Sequence, residues 1–353
     1  MLAQKTSTLK KVATGTAQAD IKGFLFAPFN EDKNTNRVII QPDIYTDSGQ
    51  LPLLDFAKVS KAPFHSGEKK NKLTETGKRE YKELVLRIKG EIKRGHFKKI
   101  VASRVVKRKK PENFEPVGFF EKLCKAYPDA FVSLVYTPQY GLWLGASPEI
   151  LLNVNSEGFK TYSLAGTKTN VNGAPEKSWS EKEKEEQQLV SDYIRQTIGE
   201  VTKKQPVVTG PETMIAGNVL HLRTTFVYPD IPQKHWLEIT EKLHPTPAVA
   251  GEPKQAAIDF ILRNEKAPRS FYAGYLGPVN MDGEIHLFVN LRCMQVLKKK
   301  LALHVGGGIT QHSKPWDEWK ETKLKAKTLL SVLKPQQHTI SLFRPREVRT
   351  AAV

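Results

Sequence analysis

SFYAGYLGPVNMDGEIHLFVNLRCMQVLKKKLALHVGGGI, residues 270–309, is the stretch whose reading decides the fold. It divides into three runs rich in aliphatic and aromatic residues, 270–279, 283–297 and 300–309, and each reads as a strand. A helix from about 315 to 333 follows. Toward the N-terminus the pattern repeats. Strands are predicted at KKIVASRVVK (98–107), FVSLVYT (131–137), YGLWLGA (140–146), EILLNV (149–154), FKTYSLAG (159–166), QPVVTG (205–210) and NVLHLRTTFVY (218–228). Single helices interrupt them at 119–127, about 180–201, 235–243 and 253–264. Residues 20–57 (IKGFLFAPF, NRVIIQPDIYT, LPLLDF) hold further short strands, and 58–76 read as a loop. Runs of strands broken by single helices favour an α+β fold, largely antiparallel, over a doubly wound sheet.

The chain has 353 residues, 39% of them hydrophobic, enough to bury a large core. Its two cysteines, Cys124 and Cys293, have neither zinc nor disulfide-framework spacing, which fits a reducing compartment. MLAQKTSTLKKVATG contains no apolar leader core, and no run approaches about 20 apolar residues. A soluble, cytoplasmic protein without membrane attachment is therefore expected. The net charge of +18 is uneven, with 18 Lys/Arg against 5 Asp/Glu in residues 61–110. Much of that stretch is KREYKELVLRIKGEIKR (78–94). Tyr81, Leu84, Val85, Ile88 and Ile92 recur there at helical spacing, and cations cover the other faces. Gly95 is placed to stop the helix. No aromatic platforms interleave the lysines, so the stretch reads as a solvated face, and no nucleic-acid partner is expected.

Several constellations carry chemistry, each beside a plainer reading. Glu183-x-x-Glu186 and Glu318-x-x-Glu321 each place two carboxylates on one helix face. Two such helices face to face could hold a hard divalent cation, whereas taken alone they are ordinary Glu-rich helices. Trp316 and Trp319 bracket Glu318 and imply that this helix start is packed. Glu149 lies between two apolar strands; pointing inward, it would be a general acid with a raised pKa, and pointing outward a turn residue. Of Lys98 and Lys99, an alternating strand turns one inward, where a lysine can serve as base. Gly306-Gly307-Gly308 suits either close approach to an anion or a plain bend. LHPTPAVAG (243–251), with two prolines and a final glycine, is neither a helix nor a strand interior. It is a rigid segment with almost no catalytic groups.

In order and wording these segments resemble one family, the chorismate-utilising enzymes, and among them the isochorismate synthases. The resemblance runs from about Tyr81 to Leu333. It rests on KIVASR (99–104), GASPEILL (145–152), SLAGT (163–167), SEKEKEEQQLV (180–190), HPTPAVAG (244–251), FVNLRC (288–293), VGGGIT (305–310) and PWDEWKETKLK (315–325). It implies an α+β fold of two packed, mainly antiparallel sheets with helices outside. Residues 1–75 would form a strand-rich part of the same fold plus a basic loop, 76–335 the catalytic region and 336–353 a tail. The implied reaction is Mg2+-dependent, reversible isomerisation of chorismate, with Lys99 activating water at C2 and Glu149 protonating the departing C4 hydroxyl. Glu186 and Glu321 match direct Mg2+ ligands, and Glu183 and Glu318 match ligands acting through water. Arg292 and Lys325 match the cations that grip carboxylates; Gly308, Gly166 and His221 match residues of the same pocket. Lys99, where amine-forming relatives carry glutamine, and Ala165, where some carry a nucleophilic lysine, select water, so no glutamine amidotransferase partner is expected. Ala248 in the HPTPA segment matches a wall position that separates isomerisation from the further elimination of pyruvate carried out by salicylate synthases, the nearest alternative. Asn290, Gly307 and GPVN (277–280) depart from the usual pattern without removing a catalytic group.

Overall fold

In the computed structural model, residues 2–3, 10–11, 20–42, 44–45, 73–169, 179–216 and 219–333 are described. The expected LPLLDF strand, most of the loop 58–76 and the tail 336–353 lie outside the described residues. In chain order the strands begin with β1 (Leu2–Ala3), β2 (Lys10–Lys11), β3 (Gly23–Ala27), β4 (Val38–Ile40), β5 (Ile44–Tyr45) and β6 (Lys99–Lys109). They continue with β7 (Phe131–Thr137), β8 (Gly141–Ser147), β9 (Ile150–Asn155), β10 (Gly158–Thr169), β11 (Val207–Ala216) and β12 (Val219–Tyr228). The last are β13 (Gly251–Glu252), β14 (Tyr275–Met281), β15 (Glu284–Val289), β16 (Cys293–Val296) and β17 (Lys300–Ile309). The helices are α1 (Lys78–Lys93), α2 (Pro116–Ala126), α3 (Glu181–Thr202), α4 (Trp236–Leu243), α5 (Lys254–Asn264) and α6 (Pro315–Leu333).

Two antiparallel sheets carry the architecture. One has nine strands in the order β11-β12-β10-β9-β15-β14-β3-β4-β2, the other six in the order β13-β6-β17-β16-β8-β7, while β1 and β5 form a separate pair. Phe26, Leu152, Tyr275 and Leu287 of the first sheet share one buried cluster with Ile100, Ala102 and Trp143 of the second. The N-terminal strands β3 and β4 thus contribute to the same core as the rest. α3 and α4 join this cluster through Val190, Ile194, Trp236 and Ile239. A second cluster, with Leu144, Met294 and Leu303 of the six-stranded sheet, is covered by Phe119 and Leu123 of α2 and Ala326 and Leu329 of α6. The basic helix α1 follows its periodicity, burying Tyr81, Leu84, Val85 and Ile88; the Gly95 amide bonds back to Ile92 at its end.

The opening stretch differs from its reading in one informative way. Residues 283–297 are two strands that belong to different sheets: β15 in the nine-stranded one and β16 in the six-stranded one. The break is at Asn290–Arg292. The Asn290 amide donates to Gly274 and its side chain to Phe271, and Arg292 adopts a left-handed φ of 47°. These bonds replace ladder pairing, so continuous apolar patterning concealed the turn. The same contacts explain why β14 starts at Tyr275, five residues later than its run. A second switch lies alongside, where β8 passes through Pro148 and Glu149 into β9. The two are laced together: the Ala146 amide donates to Arg292, and that of Val289 to Glu149, at 3.2 and 2.9 Å.

Candidate active site

The paired sheet switches deliver two of the expected site residues, Glu149 and Arg292, side by side at the seam. A third component follows from the short length of β16. β6 pairs with β17 along its whole length, Lys300–Ile309, whereas β16 reaches only Leu301–Leu303. Gly306, Gly307 and Gly308 therefore present backbone to a cleft, a cavity of about 130 Å3. Lys99, Glu149, Gly166, Glu183, Glu186, His221, Ala248, Arg292, Gly308, Glu321 and Lys325 all line it. Glu318 stands behind it, only 2% exposed.

The glycines make room for these side chains. A Cβ at Gly308 would lie 2.7 Å from Lys99 Cε and 3.1 Å from Glu186 Oε1; one at Gly307 would lie 3.2 Å from Glu318 Oε2 and 3.5 Å from Glu321 Oε1. Amine and carboxylates thus close over a strand that has no side chains of its own there. Strand alternation places Lys99 inside (4% exposed) and Lys98 outside. Lys325 Nζ pairs with Glu321 Oε1 at 2.7 Å and donates to the Gly306 carbonyl at 2.9 Å. Glu183 has a second task, accepting from the Ser180 amide and hydroxyl at 2.7 and 2.6 Å to cap α3.

Burial sets the protonation states. It pushes the Glu149 carboxyl up to about 7, against the opposing pull of Lys99, Arg292 and Lys325. At neutrality this group is partly protonated, as a proton donor must be. Burial, followed by the repulsion of Arg292, drops His221 to about 4. The imidazole is therefore neutral. Its Nδ1 lies 2.7 Å from the Gly166 carbonyl and carries the proton, which leaves a bare, buried Nε2 without a hydrogen-bond partner.

The proline-rich segment is the cavity wall. Ala248 and Val249 line it, and Gly251–Glu252 pairs with Ile100 and Lys99. The Arg269 guanidinium donates to the Val249 and Val101 carbonyls, each at 2.7 Å, and forms a buried pair with Glu265. His244 turns away, its Nε2 3.2 Å from the Pro28 and Phe29 carbonyls. At the other side Trp319 packs under Arg104, 3.9 Å from its guanidinium, whereas Trp316 is 45% exposed.

The donor set suits Mg2+, which takes oxygen ligands, keeps several waters and uses only one or two carboxylates. Glu186 Oε1 is buried with no hydrogen-bond donor, and Glu321 approaches from the opposite helix. Among the described residues no three His, Cys, Asp or Glu side chains stand together as a preassembled cage. Sequence reasoning missed Tyr272 and His304, which also line the cavity. Both fall within runs read simply as strands, and only their polar character at inward positions marked them.

In sequence and in fold the chain is similar to known proteins. The chorismate binding enzyme family profile matches residues 33–334. Isochorismate synthase EntC of Escherichia coli is 30% identical over 244 residues, 66% of this chain and 62% of EntC; the chain thus spans less than two thirds of that relative's length. Anthranilate synthase component 1 of Saccharolobus solfataricus is 26% identical over 345 residues, 94% of this chain and 77% of the relative. The crystal structure of DhbC from Bacillus anthracis superposes with a TM-score of 0.72 at 25% identity, covering 89% of this chain and 84% of the other. Escherichia coli MenF shares the fold, with a TM-score of 0.67 at 21% identity over 90% of this chain and 80% of its own. With two antiparallel sheets, a seam that gathers acids and cations, and a profile match over most of its length, this chain is a member of the chorismate-binding enzyme family.

Proposed function

We propose that the chain is an isochorismate synthase, an isomerase interconverting chorismate and isochorismate. The carrying observation is Glu149, a buried carboxyl titrating near neutrality in a cavity that also holds a buried amine, Lys99, and the cations Arg292 and Lys325. In this reading Lys99 removes a proton from water as its oxygen bonds to C2. The ring double bonds shift, the C4–oxygen bond breaks, and Glu149 supplies the proton that lets the hydroxyl leave as water. One water enters and one departs, so the reaction needs no redox partner. Arg292 and Lys325 offset the charge of the dianionic substrate, and the Gly308 backbone lets it approach closely. Glu186 and Glu321 would hold Mg2+ directly, with Glu183 and Glu318 acting through water; the ion supplies charge neutralisation at the ring carboxylate.

Support for water as the nucleophile comes from Lys99, and support for stopping at isochorismate from the small Ala248, both of which line the cavity. Liquid chromatography of chorismate incubated with the purified protein tests the reading, with Mg2+ and then with EDTA. A Mg2+-dependent equilibrium of chorismate and isochorismate without ammonia is expected. Accumulating salicylate and pyruvate would make it a salicylate synthase instead, and no conversion would overturn the proposal.

A further inference from the structure

His304 is the first residue of β17 beyond the reach of β16 and lines the cavity at only 3% exposure. On a pleated strand His304, Gly306 and Gly308 share a face. His304 therefore lies roughly 13 Å, four residues of strand rise, from the Gly308 end where Lys99 and Glu186 meet. Its ring is fixed. Trp143 stacks on it at 5.2 Å and 29°, and Tyr272 at 5.5 Å and 23°. Trp143 is itself anchored by its indole N–H to the Tyr140 carbonyl. Burial holds the imidazole neutral, at about 3. Its Nε2 is buried and has no hydrogen-bond partner, a cost a folded protein seldom bears unless a ligand or water supplies one.

We infer that His304 is a substrate-binding residue, its Nε2–H donating to the side-chain carboxylate of chorismate at the end of the cavity remote from the acidic helices. This rests on the function proposed above. Chorismate carries one carboxylate on the ring and a second on the enolpyruvyl ether. With the ring carboxylate among Glu186, Glu321 and their cation, the second extends along β17 toward Tyr272 and His304. A neutral imidazole is an apt donor there: it binds an anion without adding another buried charge beside Arg292.

The test compares His304→Phe and His304→Met, which lack the donor, with His304→Gln, which keeps one; Phe also retains the stacking surface. Steady-state kinetics with chorismate should show KM raised about ten- to hundredfold in both donorless variants, far more than kcat falls. His304→Gln should recover a substantial part of the loss. Melting curves identify the folded variants, and two donorless replacements of different shape ensure one to read. A wild-type KM in a folded donorless variant, or a loss equal in all three, overturns the inference. If the wild-type protein itself neither binds nor converts chorismate, the functional reading fails instead, a result visible before any variant is made.

Discussion

Glu149 concentrates the chemistry at the scale of a single residue, because the same burial governs both its reactivity and its effect on stability. Its folded pKa of about 7 stands above the ordinary 4.5, so the folded protein holds this proton more tightly than the unfolded chain does. The resulting stabilisation is complete below about pH 4.5 and is lost as pH rises through about 7, a difference of about 3 kcal/mol. The melting temperature of the wild type should therefore fall relative to that of Glu149→Gln between pH 5 and 8. Equal pH dependence in the two proteins would show that Glu149 does not titrate in that range. In the proposed reaction the same proton is the one delivered to the leaving hydroxyl, so Glu149→Gln, which has none to give, should lose at least about a hundredfold in kcat. Near-wild-type turnover in Glu149→Gln would remove Glu149 as the acid. Lys99 has the complementary role in the proposed reaction, and Lys99→Ala should abolish turnover while near-native circular dichroism is retained. Wild-type activity in that variant would exclude it as the base.

At the scale of elements, β17 shows how an interrupted strand becomes a binding surface, and adjacent glycines should respond differently to one methyl group. At Gly308 the added carbon meets Lys99 Cε at 2.7 Å. That contact is with a flexible side chain, so Gly308→Ala should fold normally yet lose on the order of a hundredfold in kcat/KM as the amine is displaced. At Gly307 the nearest atoms are Glu318 Oε2 at 3.2 Å and Glu321 Oε1 at 3.5 Å. A shift of a few tenths of an ångström accommodates the methyl there, and Gly307→Ala should keep most of its activity. Kinetics and melting of the two variants check this; a reversed order would mean that the cleft opens on the other face. The same elements show what was legible in the sequence. Helices α1 and α6 were plain because their apolar spacing and end signals are local. The break between β15 and β16 was not, since both sides of it are apolar and the turn is held by Gly274 and Phe271, distant in sequence order. The inward orientation of Lys99 and Glu149 was one of two options until strand pairing fixed it. His304 and Tyr272 were hidden because periodicity marks a strand face without saying that it borders a cavity.

Across the whole molecule, the cavity joins pieces that the chain keeps far apart. Lys99 comes from β6, Glu149 and Arg292 from the two switches, Glu186 from α3 and Glu321 from α6, and these helices cover different hydrophobic clusters. A ligand gripped by all of them cross-links both sheets and should stabilise the fold as a unit. Binding to the folded state alone adds RT ln(1 + [L]/Kd), about 2.7 kcal/mol at a hundred times Kd. Chorismate with Mg2+ should then raise the melting temperature by several degrees, and chorismate with EDTA by distinctly less. Glu186→Gln and Glu321→Gln should keep the unliganded melting temperature near that of the wild type while losing the Mg2+-dependent increment. Each replaces a carboxylate that bears on the cavity rather than on the packed core. The two variants should fail alike, although their helices start 134 residues apart, because an ion held between two helices is released when either one lets go. An increment surviving in both would place the metal elsewhere. An increment lost in only one would mean that a single helix holds it.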